Sequence, residues 1–237
     1  MTRAITLSAA LLALSAPCAA ATPVAPQFIS ASYEVLWNGS RIAVVNETFE
    51  AKDGAYRILS ESRAVGLLAL FAREPLRLDS SGRVTASGLQ PQHFEGKRGD
   101  NDPRRARADF DWAAGQLTLT RDGTTDHLKL PPATQDLVSF TYQFMFLDFA
   151  NRERFELAMT NGRKLHQHLY TVRPGVEIDT PFGQMTTLHL VKQHRPDESG
   201  AELWLAPQHR HLPVKMVVLE ENGTRIEHNL MKFELKP

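Results

Sequence analysis

The sequence contains a single cysteine, Cys18, and this residue lies within the first twenty positions. These positions begin with Arg3, continue through an apolar stretch from 4 to 16, and end in small residues after Pro17. A positive start, a short apolar core and small residues at the cleavage point are typical of a secretory signal peptide. We therefore expect residues 1–20 to be removed, which leaves an exported chain without a thiol for disulfides, thiolate metal sites or nucleophilic catalysis.

Cys18 also permits a second interpretation, in which it becomes a lipid-modified N-terminus. A lipoprotein signal approaches its cysteine through a leucine and small residues. Here the approach is Ser15, Ala16 and Pro17, and a proline directly before the cysteine fits that pattern poorly. We therefore predict a free periplasmic protein and not a lipoprotein anchored at Cys18.

The chain also lacks an excess of charge of either sign. It has 27 lysines and arginines against 27 aspartates and glutamates, and removal of Arg3 leaves a net charge of −1. This balance gives no electrostatic footprint for nucleic acid, so we expect no nucleic-acid partner. No second apolar run approaches the roughly 20 residues that a membrane-spanning helix requires. We expect no transmembrane span in the mature chain, with 21–27 as a flexible leader and 28–237 as a single β-rich domain.

Signatures of catalysis are absent as well. The sequence contains neither a Gly-x-Ser-x-Gly elbow nor a glycine-rich phosphate loop. The candidate metal ligands are two His-x-His pairs, His166 with His168 and His209 with His211, because residues two apart share one face of a strand. No aspartate or glutamate stands near either pair at a sequence spacing typical of a metal site. We therefore expect no cofactor and no metal, and favour a non-catalytic protein.

Turn pairs recur at short intervals along the chain. Asn-Gly and Asp-Gly suit tight hairpins because both central residues can take positive φ. Residues 29–37 alternate between apolar and mostly polar side chains, which is the period of a half-buried strand. The predicted turn pairs are 38–39, 53–54, 81–82, 114–115, 122–123, 161–162, 174–175 and 222–223. This rhythm predicts an all-β, mainly antiparallel domain, folded as an open barrel or β-roll.

Two apolar segments depart from the strand rhythm. Residues 135–149 are apolar almost all round and predict one helix, with Thr134 as the N-cap and Asp136 in the first turn. A helix of this kind is buried on several sides, so we expect it to pack against the concave face of the sheet. Residues 64–72 form the second segment, which fits either a buried strand or a short amphipathic turn of helix. We interpret it as ordinary core, with a mobile apolar flap at a cavity mouth as the alternative.

Several short motifs, in order along most of the mature chain, resemble a bacterial family of exported proteins, the domain of unknown function family 3108. The matching stretches are 33–39, 88–91 with Phe94, 109–112, 134–136, 176–177, 180–183 with Thr187, 203–207 and 212–215. The resemblance implies a β-rich periplasmic domain. It implies no activity, because the family has no assigned catalytic residues. Its architecture of a curved antiparallel sheet with a packed helix looks similar to that of periplasmic lipoprotein carriers, which is an analogy of fold and not of function.

The leading functional hypothesis is that the protein binds or shields an apolar, lipid-like ligand. It rests on the export signal, the curved sheet and more apolar helical surface than one sheet face covers. The residues expected to line the ligand site are Trp37, Leu67, Leu68, Phe71, Trp112, Phe140, Phe144 and Trp204. The first alternative is an envelope assembly or interaction protein with a protein partner and no small ligand. The second alternative is a metal-dependent or other hydrolase.

Overall fold

The computed structural model describes residues 25–72 and 74–237. The predicted signal peptide, Cys18 included, lies outside the described residues. Of the predicted leader, residues 25–27 are described. Pro26 is buried, and the carbonyl of Gln27 accepts a 3.0 Å hydrogen bond from the backbone N–H of Ala51. These last leader residues therefore pack against the sheet.

Within the described ranges, the chain folds into fifteen strands and one short α-helix. The strands are β1 (Phe28–Trp37), β2 (Ser40–Lys52), β3 (Ala55–Ala64), β4 (Leu76–Thr85), β5 (Gly88–Arg98), β6 (Ala106–Asp111), β7 (Gln116–Arg121), β8 (Thr124–Lys129), β9 (Gln135–Asp136), β10 (Arg154–Thr160), β11 (Leu165–Thr180), β12 (Gly183–Lys192), β13 (Gly200–Ala206), β14 (Leu212–Leu219) and β15 (Arg225–Lys236). The helix is α1 (Ser139–Gln143). Short 3₁₀ turns cover Gly66–Leu70, Phe144–Phe146 and Pro207–His209. None of these helical elements is long and apolar enough to span a membrane.

All fifteen strands belong to one sheet, which is built outward from β1. This strand pairs with β2 on one side and with β15 on the other, so the two ends of the domain meet in the middle of the sheet. One half runs from β1 to an edge at β8, and the other runs from β15 back to an edge at β9. Every pairing is antiparallel except that of β9 with β10. The all-β prediction of an open, mainly antiparallel barrel or roll is confirmed.

The first hairpin shows how the sequence produces these strands. In β1 the side chains of Ile29, Tyr33 and Val35 are buried while their neighbours are half-exposed, as the alternation predicts. Asn38 and Gly39 then have φ values of 48° and 81°. Two successive positive φ angles match the right-handed twist of the flanking strands, which is why Asn-Gly favours a hairpin here.

Two of the predicted turns are wrong. Ser81 and Gly82 lie within β4, and residues 174–175 lie within β11. The pairing register shifts at both places, between Ser81 and Gly82 in β4 and between Arg173 and Val176 in β11. A glycine in a strand interior often marks a bulge and not a reversal, and the local sequence signals of the two are similar.

The predicted helix at 135–149 is also wrong in extent. The chain forms the two-residue strand β9 first, then α1 over five residues and a 3₁₀ turn. We call residues 134–144 the inner segment, because most of its side chains are buried although it belongs to no continuous helix. Its apolar character on all sides reflects burial between the two halves of the sheet, and such a pattern does not by itself distinguish a helix from a buried irregular segment.

Two apolar clusters meet at the inner segment. The larger cluster extends over β1–β7, includes the fully buried Phe49 and Phe94, and continues onto Val138 and Tyr142 of the inner segment and onto β12–β15. The smaller cluster joins β10–β13 and includes Phe155 and Leu190. Phe144, at the end of the inner segment, belongs to the smaller cluster and is completely buried. The inner segment thus connects the two halves of the core.

Residues 66–71, which we call the apolar tip, do not form core. The 3₁₀ turn Gly66–Leu70 has no buried residue, and the exposed fractions of Leu67, Leu70 and Phe71 are 80%, 67% and 86%. The interpretation of this stretch as buried strand or core is therefore wrong. The backbone N–H of Val65 donates a 2.9 Å hydrogen bond to the carbonyl of Ile42, so the tip extends from the end of β3 beside β2.

Candidate functional site: an apolar cavity between the halves of the sheet

A cavity of about 490 Å³ lies between the two halves of the sheet. One wall is formed by β1–β4, the opposite wall by β10–β15, and the inner segment forms a third side. Its lining is largely apolar, with Val45 and Leu78 on one wall and Leu203 and Met216 on the other. The volume lies within the range of about 300–1,000 Å³ that is usual for sites of small organic ligands.

The inner segment is fixed in place by the buried carboxylate of Asp136. Its Oδ1 accepts the backbone N–H groups of Val138 (3.0 Å) and Ser139 (2.8 Å), and its Oδ2 accepts the hydroxyl of Ser80 on β4 (2.5 Å). Burial raises the pKa of Asp136, and these hydrogen bonds act in the opposite direction. The bonds turn the chain so that Val138 and Phe140 face the cavity.

A second set of bonds ties the inner segment to the start of β5. The side-chain oxygen of Gln143 accepts the backbone N–H of Leu89 (2.7 Å), and its amide nitrogen donates to the carbonyl of Ser87 (2.9 Å). Gln135 donates to the carbonyl of Leu89 (2.9 Å). Gly88, between the two bonded residues, has a φ of 106° and lies so close to Gln143 that a Cβ would stand 2.3 Å from its Oε1. A glycine is therefore required where the segment meets the sheet.

Glu47 is an acid on the apolar wall formed by β2. Its Oε1 accepts the hydroxyl of Ser60 (3.0 Å) and its Oε2 accepts the hydroxyl of Tyr142 (3.2 Å). Burial raises the pKa of Glu47, while the two hydrogen bonds act to lower it. The carboxyl group therefore already has two protein donors.

The opposite wall carries a basic pair, Lys192 at the end of β12 and His168 on β11. The Nζ of Lys192 donates a 2.6 Å hydrogen bond to the carbonyl of Ser199. Burial lowers the pKa of Lys192. Burial, together with the nearby charge of Lys192, lowers the pKa of His168 to about 4. At neutral pH this corner of the cavity has one cation and a neutral imidazole.

Glu202 and His228 are two further titratable residues of the lining. Oε2 of Glu202 lies 2.6 Å from Nε2 of His189, whose ring stacks on Trp204 at a centroid distance of 4.3 Å. Burial lowers the pKa of His228. Both acids of the lining, Glu47 and Glu202, are therefore engaged by protein groups.

Of the eight residues predicted to line a ligand site, Phe140 lies in the wall of this cavity. Phe144 is buried in the neighbouring core cluster. Leu67, Leu68 and Phe71 are exposed on the apolar tip. The structure therefore does not bring these residues together.

The three tryptophans have separate surroundings. Trp37 is 48% exposed at the end of β1. Trp112 stacks on Phe110 and donates a 2.6 Å hydrogen bond to the carbonyl of Pro91. Trp204 is half-buried against His189. Among the lining residues given for the cavity, none is a tryptophan.

The four candidate metal ligands also remain apart. The rings of His166 and His168 stack on one face of β11 at 5.6 Å. His209 packs against Phe233 and His211 against Phe149. In residues 25–72 and 74–237, no three histidine, cysteine or acidic residues come together in a way that could hold a metal ion.

Sequence reasoning missed Glu47, Lys192 and His228, although a signal for each is present. Each stands in the apolar register of its strand, where alternation predicts a core residue: Glu47 follows Val45, and Lys192 follows Leu190. A polar residue in such a position is costly unless it has a partner or faces a polar or open space. Titratable side chains in the inward register of an apolar strand are therefore the sequence signal for this site.

Comparison with known proteins supports the fold and the family. No curated protein matches the chain. The fold is similar to the crystal structure of a beta-barrel-like protein of the domain of unknown function DUF1849 from Brucella abortus, with a TM-score of 0.56 and 11% sequence identity. That match covers 90% of this chain and 99% of the other. A family model described as protein of unknown function (DUF3108) matches residues 32–230. The chain therefore belongs to the DUF3108 family of proteins of unknown function.

Proposed function

We propose that this protein is an exported, periplasmic and non-catalytic protein that binds or shields an apolar, lipid-like ligand in the cavity between the two halves of its sheet. The observation that carries the proposal is the cavity of about 490 Å³ with its largely apolar lining. Apolar lining with a few placed polar groups is the usual composition of a small-molecule site. The predicted signal peptide supports the proposed location.

An empty apolar cavity of this volume is unusual in a protein interior. Protein interiors are packed to a density near 0.75 and leave few voids larger than a water molecule. Here the inner segment is tied to β4 by the hydrogen bond from Ser80 to Asp136 and to the start of β5 by the hydrogen bonds of Gln143. The space beside Phe140 is therefore maintained by the fold and is suited to an apolar guest.

The first test is extraction of the purified full chain with organic solvent, followed by mass spectrometry. We expect an amphiphile or other apolar molecule to accompany the protein. A clean protein that also leaves the fluorescence of the uncharged dye N-phenyl-1-naphthylamine unchanged would contradict the proposal.

The second test fills the cavity from one wall. Ala201 lines the cavity on β13, and Ala201→Phe is expected to weaken dye binding more than tenfold because the added ring occupies the guest's space. Ser62→Phe fills it from the opposite wall. Ala114→Phe, in the exposed turn between β6 and β7, is the matched control and should bind dye as the wild type does. Circular dichroism verifies that each variant is folded.

A second candidate function is that of an envelope interaction protein, and the apolar tip is the observation that favours it. Scattered exposed apolar residues are normal, whereas several on one short segment mark a contact surface. Leu67, Leu70 and Phe71 satisfy this description.

Crosslinking in the periplasm tests this candidate. A photo-reactive residue in place of Phe71 should capture one consistent partner protein, and the same residue in place of Phe182, which is 42% exposed elsewhere on the surface, should not. Identical products from the two positions would count against an interaction at the tip.

A further inference from the structure

The basic groups of the cavity lie on one wall. On the β1–β4 wall, Val45 and Leu78 are apolar, and the polar residues there are Glu47, Ser60 and Ser62. Phe140 adds apolar surface from the inner segment. Lys192, His168 and Ser199 contribute to the opposite wall. Among the lining residues given for the cavity, Lys192 is the one lysine or arginine.

The hydrogen bonds of Lys192 leave it with spare donors. An ammonium group has three N–H donors. One is used by the carbonyl of Ser199, and the structure as described gives no second acceptor. The negative charge of Glu198 acts to raise the pKa of Lys192. The carboxylate of Glu198, however, pairs with Arg195 at 2.7 Å.

The two acids that line the cavity do not act as acceptors for the ammonium group of Lys192. Glu47 accepts hydrogen bonds from Ser60 and Tyr142 on another side of the cavity. Glu202 bonds to His189. An anion that reaches a half-buried ammonium group with spare N–H donors gains a charge-assisted hydrogen bond.

We propose that the cavity takes a single-chain anionic amphiphile, with its carboxylate or other anionic head at Lys192 and His168 and its apolar chain along Val45, Leu78 and Phe140. This assignment rests on the proposed ligand-binding function and specifies its ligand class. Lys192 is the residue that sets head-group preference. His168, as a neutral imidazole, donates a further hydrogen bond to the head.

The experiment compares three twelve-carbon probes that differ in the head group: dodecanoate, dodecanol and dodecyltrimethylammonium. Each is used to displace N-phenyl-1-naphthylamine from the full chain at pH 7.5, the two ionic probes below their micelle concentrations and dodecanol below its solubility limit. We expect dodecanoate to bind at least about tenfold more tightly than the other two, the factor that one charge-assisted hydrogen bond of ordinary strength supplies.

The variants separate charge from shape. Lys192→Met should reduce the affinity for dodecanoate by more than that for dodecanol, so that the preference between the two probes is lost, and Lys192→Arg should keep the preference. Lys215→Met is the matched control, because Lys215 is a half-buried lysine on β14 that pairs with Glu227 and does not line the cavity. The ring signals of His168 should shift with dodecanoate and not with dodecanol in nuclear magnetic resonance spectra.

The outcomes separate the two proposals. Equal binding of all three probes, or a dodecanoate preference that survives Lys192→Met, overturns the head-group assignment and leaves ligand binding intact. A protein that binds neither the dye nor any of the probes overturns the proposed function itself, and the assignment with it.

Discussion

The hydroxyl of Tyr142 donates a 3.2 Å hydrogen bond to Oε2 of Glu47, a residue 95 positions earlier in the chain. The bond joins the inner segment to β2 at the cavity wall. Loss of one donor to a buried carboxyl costs about 1–3 kcal/mol. We expect Tyr142→Phe to lower the free energy of unfolding by this amount in urea titrations, since the phenyl ring still stacks on Phe49.

Tyr170→Phe is the matched control for this substitution. Tyr170 is also buried and lines the same cavity, and within the described part of the chain its hydroxyl makes no hydrogen bond to Glu47 or another side chain. Its replacement should change stability much less than that of Tyr142. Equal losses in the two variants would show that the bond to Glu47 contributes nothing beyond packing.

The buried carboxyl of Asp136 predicts a pH dependence of stability. Its pKa is raised in the folded protein, so the folded state holds the proton more firmly than the unfolded state does. The stability that this group contributes is therefore greatest at low pH and decreases as pH rises from its ordinary value of 3.8 to the raised value. Asp136→Asn, which keeps an acceptor for the N–H groups of Val138 and Ser139, should remove this decrease.

Urea unfolding of wild type and Asp136→Asn between pH 3.5 and 7.5 measures the difference. The other titratable groups are common to both proteins, so their contributions cancel in the comparison. Parallel stability curves over the whole range would refute the raised pKa.

His168 predicts a direct titration. Because burial lowers its pKa to about 4, its ring should remain neutral well below the ordinary value of 6.5. A lowered folded pKa gives stability that is fully present above about pH 6.5 and is lost as pH falls towards 4. Ring chemical shifts followed from pH 7.5 to 3.5 should show this late protonation.

We expect Gly88→Ala to destabilise the protein by more than the conformational strain of an alanine at positive φ. An alanine at a positive φ costs about 1–2 kcal/mol in itself. In Gly88→Ala the new Cβ also displaces the side chain of Gln143 and with it the bonds to Ser87 and Leu89. In Gly115→Ala, where φ is 65° and no atom lies within 4 Å of the new Cβ, strain acts alone. Thermal unfolding should rank Gly88→Ala as clearly the less stable, and the reverse order would contradict this role.

We expect truncation of two phenylalanines to have very different effects on the free energy of unfolding. Phe144 is fully buried, and Phe144→Ala should cost about 3–5 kcal/mol of unfolding free energy. Phe71 is 86% exposed, and Phe71→Ala should change the free energy of unfolding by less than about 0.5 kcal/mol. A large loss in Phe71→Ala would mean that the apolar tip is packed in solution.

Sequence reasoning was most successful where a structural rule acts over neighbouring residues. Alternation in β1 and the Asn38-Gly39 pair predicted a strand and a hairpin, since side-chain direction and positive φ are local properties. It failed at Gly82, where a bulge replaced a turn, because the partner strand β5 decides between the two. It failed again over 135–149, where burial on all sides suppressed the periodicity that distinguishes helix from irregular chain.

The candidate site was largely beyond such rules. Phe140 was predicted and lies in the cavity wall, while Lys192 and Glu47 were not predicted. These two residues are 145 positions apart and face one space only because β1 pairs with β15 and folds the two halves of the sheet towards each other. A local sequence pattern cannot predict that the first strand of the domain pairs with the last.

By itself, the sequence determined the all-β class and the family, together with the prediction of export. Turn chemistry, side-chain alternation and the composition of the first twenty residues act locally and need no partner. The tertiary structure decided that Asp136 and Gln143 hold the inner segment within the sheet and that Lys192 faces an apolar cavity. These features depend on hydrogen bonds and packing between strands far apart in the chain, and such contacts exist only once the sheet has curved.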